Sequence, residues 1–276
     1  MKFYCTSLFL ILFYIFPLAL PAQVIDPERR VDWDIAGYEG KNPNPDLILD
    51  ATDFGAVGDS LTDNSDAVGD ALNALNGYRG VVYFPPGTYL FHSTITMPDS
   101  ATIRGESSSL THFVFHLGGE GHNCFAISKG QPGDFSTVVN NPEKGSYKIV
   151  VEDPASFTGS QYAELRQKNG EWDTNPISWG QYAVGQMVFI THLSGDTLII
   201  KNPLRANYES NLDPEIRPIT PAHEIGIECL KISRLDNSTQ SVGYNIYMGF
   251  ASNCWVKGVE SNKSVGSHIY LTRSTN

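Results

Sequence analysis

Short apolar runs recur near the end of this chain, and their spacing constrains the fold more than any other feature. Ile225-Gly226-Ile227-Glu228-Cys229-Leu230-Lys231-Ile232 reads as strand, and Tyr244-Asn245-Ile246-Tyr247-Met248 as the next. Residues 254–259 and 267–271 repeat the pair: Lys231 to Lys257 is 26 residues and Ile246 to Ile269 is 23. Periods in this range predict a solenoid whose coils stack strand upon strand. The 25 Gly and 16 Pro, with many Tyr and Phe, suit short strands joined by turns.

The N-terminus reads as an export signal. Lys2 precedes Leu8 to Leu20, a thirteen-residue run that is apolar apart from Tyr14 and Pro17, and Ala22 offers a small residue before Gln23. Thirteen residues fall short of the roughly 20 needed to span a bilayer. The expectation is a leader at 1–22 and a mature protein that is secreted, periplasmic or at the cell surface, with no membrane span. The formal charge of −11 argues against general nucleic-acid binding, which rewards clustered Lys and Arg. The mature cysteines, Cys124, Cys229 and Cys254, are odd in number and are read as free and buried. The sequence sets no oligomeric state.

After a Pro-containing linker or extended arm at 23–49, Asp53-Phe54-Gly55-Ala56-Val57-Gly58-Asp59 is rich in turn residues. Ala67, Val68, Ala71, Leu72 and Leu75 then mark one face of a helix over 65–76, with Asn64 as N-cap and Gly77 and Gly80 at its end. Val81-Val82-Tyr83-Phe84 is a buried strand, turned by Pro85-Pro86-Gly87 into Thr88-Tyr89-Leu90-Phe91. Together with Thr102-Ile103-Arg104-Gly105-Glu106, these segments resemble the N-terminal module of pectate-lyase-superfamily and rhamnogalacturonase/epimerase-like β-helices. The resemblance implies an all-β, right-handed parallel β-helix. A solenoid end exposes apolar side chains and strand backbone, so the amphipathic helix suits an N-terminal capping role.

Residues 135–222 break the coil rhythm, with strands near 147–151, 162–165, 187–191 and 197–201 and a tight turn at Ser194-Gly195-Asp196. The expected layout is a cap and first coils over 50–134, an inserted small β-domain over 135–222, and further coils over 223–276, truncated at Asn276.

The family resemblance implies a polysaccharide lyase or glycoside hydrolase acting on an acidic polysaccharide. Its reaction motifs are missing: no Asn-Thr-Asp, Gly-His-Gly or Arg-Ile-Lys segment occurs, and Trp255-Val256-Lys257-Gly258 lacks the calcium-binding Asp of some lyases. Catalytic residues are therefore not assigned, and a non-catalytic surface binder or adhesin is the alternative. A phage receptor-binding fibre is disfavoured by the leader. No cofactor is expected. Asp53, Asp59, Asp63 and Asp66 lack calcium-loop spacing and read as turn and cap residues. His112 and His116 would lie roughly 13 Å apart on a strand, too far for one metal. A 26-residue register stacks Lys231 on Lys257 and leaves Cys229 and Cys254 unbridged. The candidate glycan-binding residues are Lys231, Lys257, Glu228 and His268.

Overall fold

The computed structural model describes residues 43–119, 121–129, 132–236 and 242–275. The expected leader and most of the arm lie outside these residues. No helix among them is long and apolar enough to cross a membrane.

Alternation of apolar and polar residues sends every second side chain of each strand inward. Val82, Phe84, Ile103 and Ile227 point to a common core while Tyr83, Arg104 and Glu228 point out. Such strands build three larger parallel sheets, with a short fourth from Ala222–His223 and Ala251–Ser252. Face A orders Leu47–Asp50, Gly80–Phe84, Ala101–Gly105, Gly226–Glu228 and Trp255–Lys257. Face B orders Asp59–Asp63, Gly87–Phe91, Thr111–Phe115, Lys231–Arg234 and Glu260–Asn262. Face C orders Ile95–Thr96, Phe125–Ser128, Ile246–Gly249 and Ile269–Thr272. After the first coil, in which a helix follows the face B strand, the coils visit A, B and C in turn, so the body is a parallel β-helix. Its interior is an aromatic stack: Phe84, Phe91 and Phe113 lie 4.7 Å apart ring to ring along Phe84–Phe113 and Phe91–Phe113, and Phe113 stacks on Phe125 at 6.0 Å. Each such buried ring contributes about 2–3 kcal/mol.

The corners between faces need unusual backbone. Cys229 (φ 54°) and Gly258 (φ 64°) both turn the chain from face A to face B, and Cys229 N–H donates to Lys257 O at 2.9 Å. All three described cysteines are free.

Helix α1 (Ser65–Ala74) buries Ala67, Val68, Ala71 and Leu72 in the same core as the coils. Leu75 follows and packs so tightly over Gly80 that a Cβ there would come 2.4 Å from its methyl carbon. Asn64 holds the N-cap position, but its side chain does not cap the helix. Its Oδ1 accepts from Val57 N–H at 2.7 Å and its Nδ2 donates to Thr62 O at 2.8 Å, tying the preceding turns together. Asp63 instead accepts from Ser65 N–H at 3.0 Å. Asp59 accepts from Leu61 and Thr62 N–H, bonds that hold its carboxyl below the usual range. These acids close turns, as their spacing suggested.

Residues 136–219 form a six-stranded antiparallel sheet, ordered Lys148–Val150, Thr197–Ile200, Val184–Ser194, Tyr162–Gln167, Glu215–Ile219 and Ser136–Thr137. It has a separate core that includes Ile149, Phe157, Leu165, Leu198 and Ile216. Ser194 pairs with Thr197 around Gly195 (φ 63°), giving the tight hairpin. The sheet's first and last strands in chain order, Ser136–Thr137 and Glu215–Ile219, are neighbours, with Glu215 opposite Thr137. Face A resumes beyond it, Ile227 pairing directly with Ile103.

The 23-residue register on face C is present, Ile246 opposite Ile269. The 26-residue register on the other faces is not. Glu228 lies opposite Lys257 and Lys231 opposite Glu260, a 29-residue step. This register matches Ile227 with Val256 inside and opposes charges of unlike sign outside, which a Lys–Lys stack could not do.

Candidate functional site

The four sequence candidates do not form one site. On the outer side of face A, Asp50, Tyr83, Arg104, Glu228 and Lys257 make a row across the five strands. Glu228 is 5% exposed and fully engaged: Arg104 Nε donates at 2.6 Å and Trp255 Nε1 at 2.8 Å. Trp255 reaches it by lying over Gly226, where a Cβ would come within 2.4 Å of the indole. Tyr83 donates to Glu106 at 2.7 Å, which raises the pKa of its hydroxyl. Lys257, at the end of the row, is exposed.

Lys231 belongs to face B and pairs with Glu260, Nζ to Oε1 2.7 Å. Beside it, His112 bonds Ser233 Oγ through Nε2 at 2.8 Å, and burial, then the Lys231 charge, hold its ring below the usual imidazole range. His268 lies before the last face C strand, its Nδ1 2.9 Å from Ser261 Oγ, which accepts from Asn245. No group of three or more His, Cys, Asp or Glu among the described residues is placed to hold a metal ion.

The structure forms a polar cleft elsewhere, from residues the sequence had not singled out. A cleft of about 440 Å³ opens between the antiparallel sheet and the last coil, lined by Glu164, Arg166, Tyr182, Gln186, Arg205 and Arg273 among others. Glu164 sits at its base, held by Arg217 Nε at 2.7 Å and Arg273 Nε at 2.6 Å. Arg166 is clamped between the rings of Phe135 (3.8 Å) and Tyr182 (3.9 Å) while its Nε donates to Glu215 at 2.6 Å. Arg205 differs from both. Its backbone N–H is fixed by Gln186 Oε1 at 2.9 Å, and Gln186 Nε2 donates to Pro203 O at 3.2 Å, so one amide braces the turn that carries it. Its guanidinium is exposed and makes no ion pair among the described residues. An adjoining cleft of about 230 Å³ shares Gln186 and Arg205 and adds Lys201.

A chain of net charge −11 thus places Arg166, Lys201, Arg205 and Arg273 along two adjoining clefts, with Arg166 and Arg273 paired to Glu215 and Glu164. A cleft walled by low-dielectric protein focuses such a field. The planar guanidinium suits carboxylate and sulfate, which it binds through paired N–H donors. No local motif marks this site: its residues come from 164 to 275 and meet only because the sheet folds back on the coil.

Residues 48–141 match the family described as "Rhamnogalacturonase A/epimerase, pectate lyase-like". A "Probable glucan endo-1,3-beta-glucosidase" of Arthroderma benhamiae is 30% identical over 119 residues, 43% of this chain and 13% of that protein. The tailspike protein gp49 from Pseudomonas phage LKA1 superposes with a TM-score of 0.58 at 13% identity, over 82% of this chain and 40% of its own. The Gp54 tailspike of Acinetobacter baumannii bacteriophage AP22, solved with a capsular saccharide, gives 0.51 at 14% identity, over 78% and 36%. The chain spans well under half the length of these proteins. Over 48–141 it resembles the pectate lyase-like family, and it shares the parallel β-helix fold.

Proposed function

We propose that this protein is an exported, carbohydrate-active β-helix of the lyase or hydrolase kind, and that it holds an acidic polysaccharide in the arginine cleft. The observation that carries this reading is Arg205, an exposed cation on a turn braced through its backbone N–H, in a concavity large enough for a sugar unit. The pectate lyase-like match and the saccharide-bound tailspike support the choice of ligand. In this reading α1 caps the first coil, 135–222 is an inserted β-domain, and the insert supplies one wall of the cleft.

A non-catalytic binder is the second reading, favoured by one specific feature. The carboxylates nearest the candidate surfaces are engaged, Glu228 by Arg104, Glu260 by Lys231 and Glu164 by two arginines. A general acid or base needs a carboxyl free to exchange its proton with substrate.

The test is titration of the purified protein with polygalacturonate, rhamnogalacturonan and alginate, with parallel assays for reducing ends and unsaturated products. Binding that weakens with salt, and drops about tenfold in Arg205→Ala, is expected, since an exposed charge contact is screened. Binding unchanged by Arg205→Ala would remove the cleft from the reading. Turnover abolished by Lys257→Ala would move the chemistry to face A.

A further inference from the structure

The segment between the strands Tyr162–Gln167 and Val184–Ser194 carries two large apolar side chains in water. Trp179 is 87% exposed and Trp172 is 60% exposed. Exposed indoles on a loose loop would mean little, but this loop is fastened. Asn169 is its hub: Nδ2 donates to Asp173 Oδ2 at 2.6 Å and to Gly180 O at 2.8 Å, and Oδ1 accepts from Ala183 N–H at 2.9 Å. Asn169 N–H donates to Gln181 O at 2.9 Å, and Lys168 N–H ties the loop to Leu212 O at 2.8 Å. Trp172 is laid against Gly170, where a Cβ would come 3.3 Å from the ring. Trp179 sits in a helical turn, Ser178–Gly180, closed by Gly180 N–H to Ile177 O at 2.9 Å.

The loop ends at the cleft. Tyr182 and Ala183 line it, and Tyr182 is the ring that clamps Arg166. Trp179 stands three residues before Tyr182, so at most about 11 Å of chain separates them. That is on the scale of two sugar units.

A pyranose ring has an apolar face of polarised C–H groups, and an indole offers a flat, electron-rich partner to it. An anionic glycan needs cations for its charged groups and apolar surface for its ring faces. The cleft supplies the first and the loop the second. We infer that Trp179 and Trp172 are stacking subsites for pyranose rings of the glycan whose anionic group lies in the arginine cleft. This rests on the acidic-glycan reading above. Because Asn169 fixes the loop beforehand, little ordering cost is left to binding.

The test is intrinsic fluorescence and calorimetry on the full chain, titrated with oligogalacturonate and, separately, with a neutral β-glucan. Oligogalacturonate is expected to shift tryptophan emission. Trp179→Ala should raise Kd about tenfold and Trp172→Ala about threefold, as expected for loss of an aromatic contact. Trp179→Tyr should recover most of the affinity. The salt dependence should stay unchanged in the Trp variants and flatten in Arg205→Ala. Wild-type affinity in the Trp172→Ala/Trp179→Ala double variant, with binding lost in Arg205→Ala, would overturn this inference and leave the acidic-glycan reading standing. A Trp-dependent shift with the neutral glucan alone would overturn the acidic-glycan reading and leave a stacking surface. Binding of neither glycan would overturn both. Unfolding temperatures should not move, since both indoles are exposed.

Discussion

Arg273 reaches across from the last coil to Glu164 on the antiparallel sheet, Nε to Oε1 2.6 Å, and locks the two together at the base of the cleft. Arg217 occupies the other carboxylate oxygen at 2.7 Å. Glu164→Ala leaves both cations without their acid. A loss of about 3 kcal/mol of stability is expected, the scale for removing one partner of a buried pair. Urea unfolding measures it. Adding Arg273→Ala should cost less in the variant than in the wild type, by about 1 kcal/mol of coupling. Simple additivity would show that the bridge does not join the two parts.

Asp236 should govern stability in acid. Burial works to raise its carboxyl, but hydrogen bonds from Arg234 and from the N–H groups of Leu117 and Gly119 outweigh this and bring the pKa down to about 2. In the unfolded chain the group titrates near 3.9. Its folded value is depressed, so its contribution is fully present above about pH 4 and is lost as pH falls toward 2. That contribution is about 2 kcal/mol. Asp236→Asn should lower the urea midpoint at pH 6 and narrow the fall between pH 4 and pH 2. Parallel curves for variant and wild type would rule this out.

Leu72 is buried between α1 and the first coils. Leu72→Ala should cost about 2–4 kcal/mol through the cavity it leaves, and Leu72→Asp more, because it buries a charge without a partner. Thermal unfolding of the three proteins compares them directly. An unchanged transition would mean that the helix is not packed on the coil.

Burial pushes the Cys124 thiol up to about 12 and the Cys254 thiol to about 11. Thiolate is the reactive form, so iodoacetamide at pH 8 should leave both unmodified in the folded protein and label both in denaturant. Peptide mapping reads the result, and rapid labelling of Cys124 in the folded state would contradict its place in the core.

The coil architecture is legible in the sequence because its signals are local. The Ile246 and Ile269 strands each bring two inward residues, with Met248 above Leu271, so one register satisfies both. The strand at Trp255–Lys257 has a single inward residue, Val256, and a single residue cannot choose between registers. Val256 fits beneath Leu230 at 26 residues as readily as beneath Ile227 at 29. The deciding signal was outside: Glu260 offers Lys231 a counter-charge that Lys257 does not. Glu228 looked available because its type is polar, yet its hydrogen bonds to Arg104 and Trp255 depend on neighbours brought in by the stack. The arginine cleft left no sequence trace, since Arg166, Arg205 and Arg273 have no fixed spacing and converge only in three dimensions.

The meeting of the antiparallel sheet's two ends bears on the order in which the chain assembles. Face A must join Ile103 to Ile227 with the whole of residues 106–225 between them. Closing so long a loop as free chain costs entropy that rises with the logarithm of its length, about 0.6 kcal/mol per doubling. The sheet's own contacts are short-range by comparison, beginning with the Ser194–Thr197 hairpin. Once it has formed, Ser136–Thr137 lies beside Glu215–Ile219, and Gly133 N–H meets Pro218 O at 2.9 Å. Only 106–132 and 220–225 then remain to be closed around a solid piece. A sheet that folds first therefore works as a splint, carrying the two halves of the coil to within reach of each other before they pair.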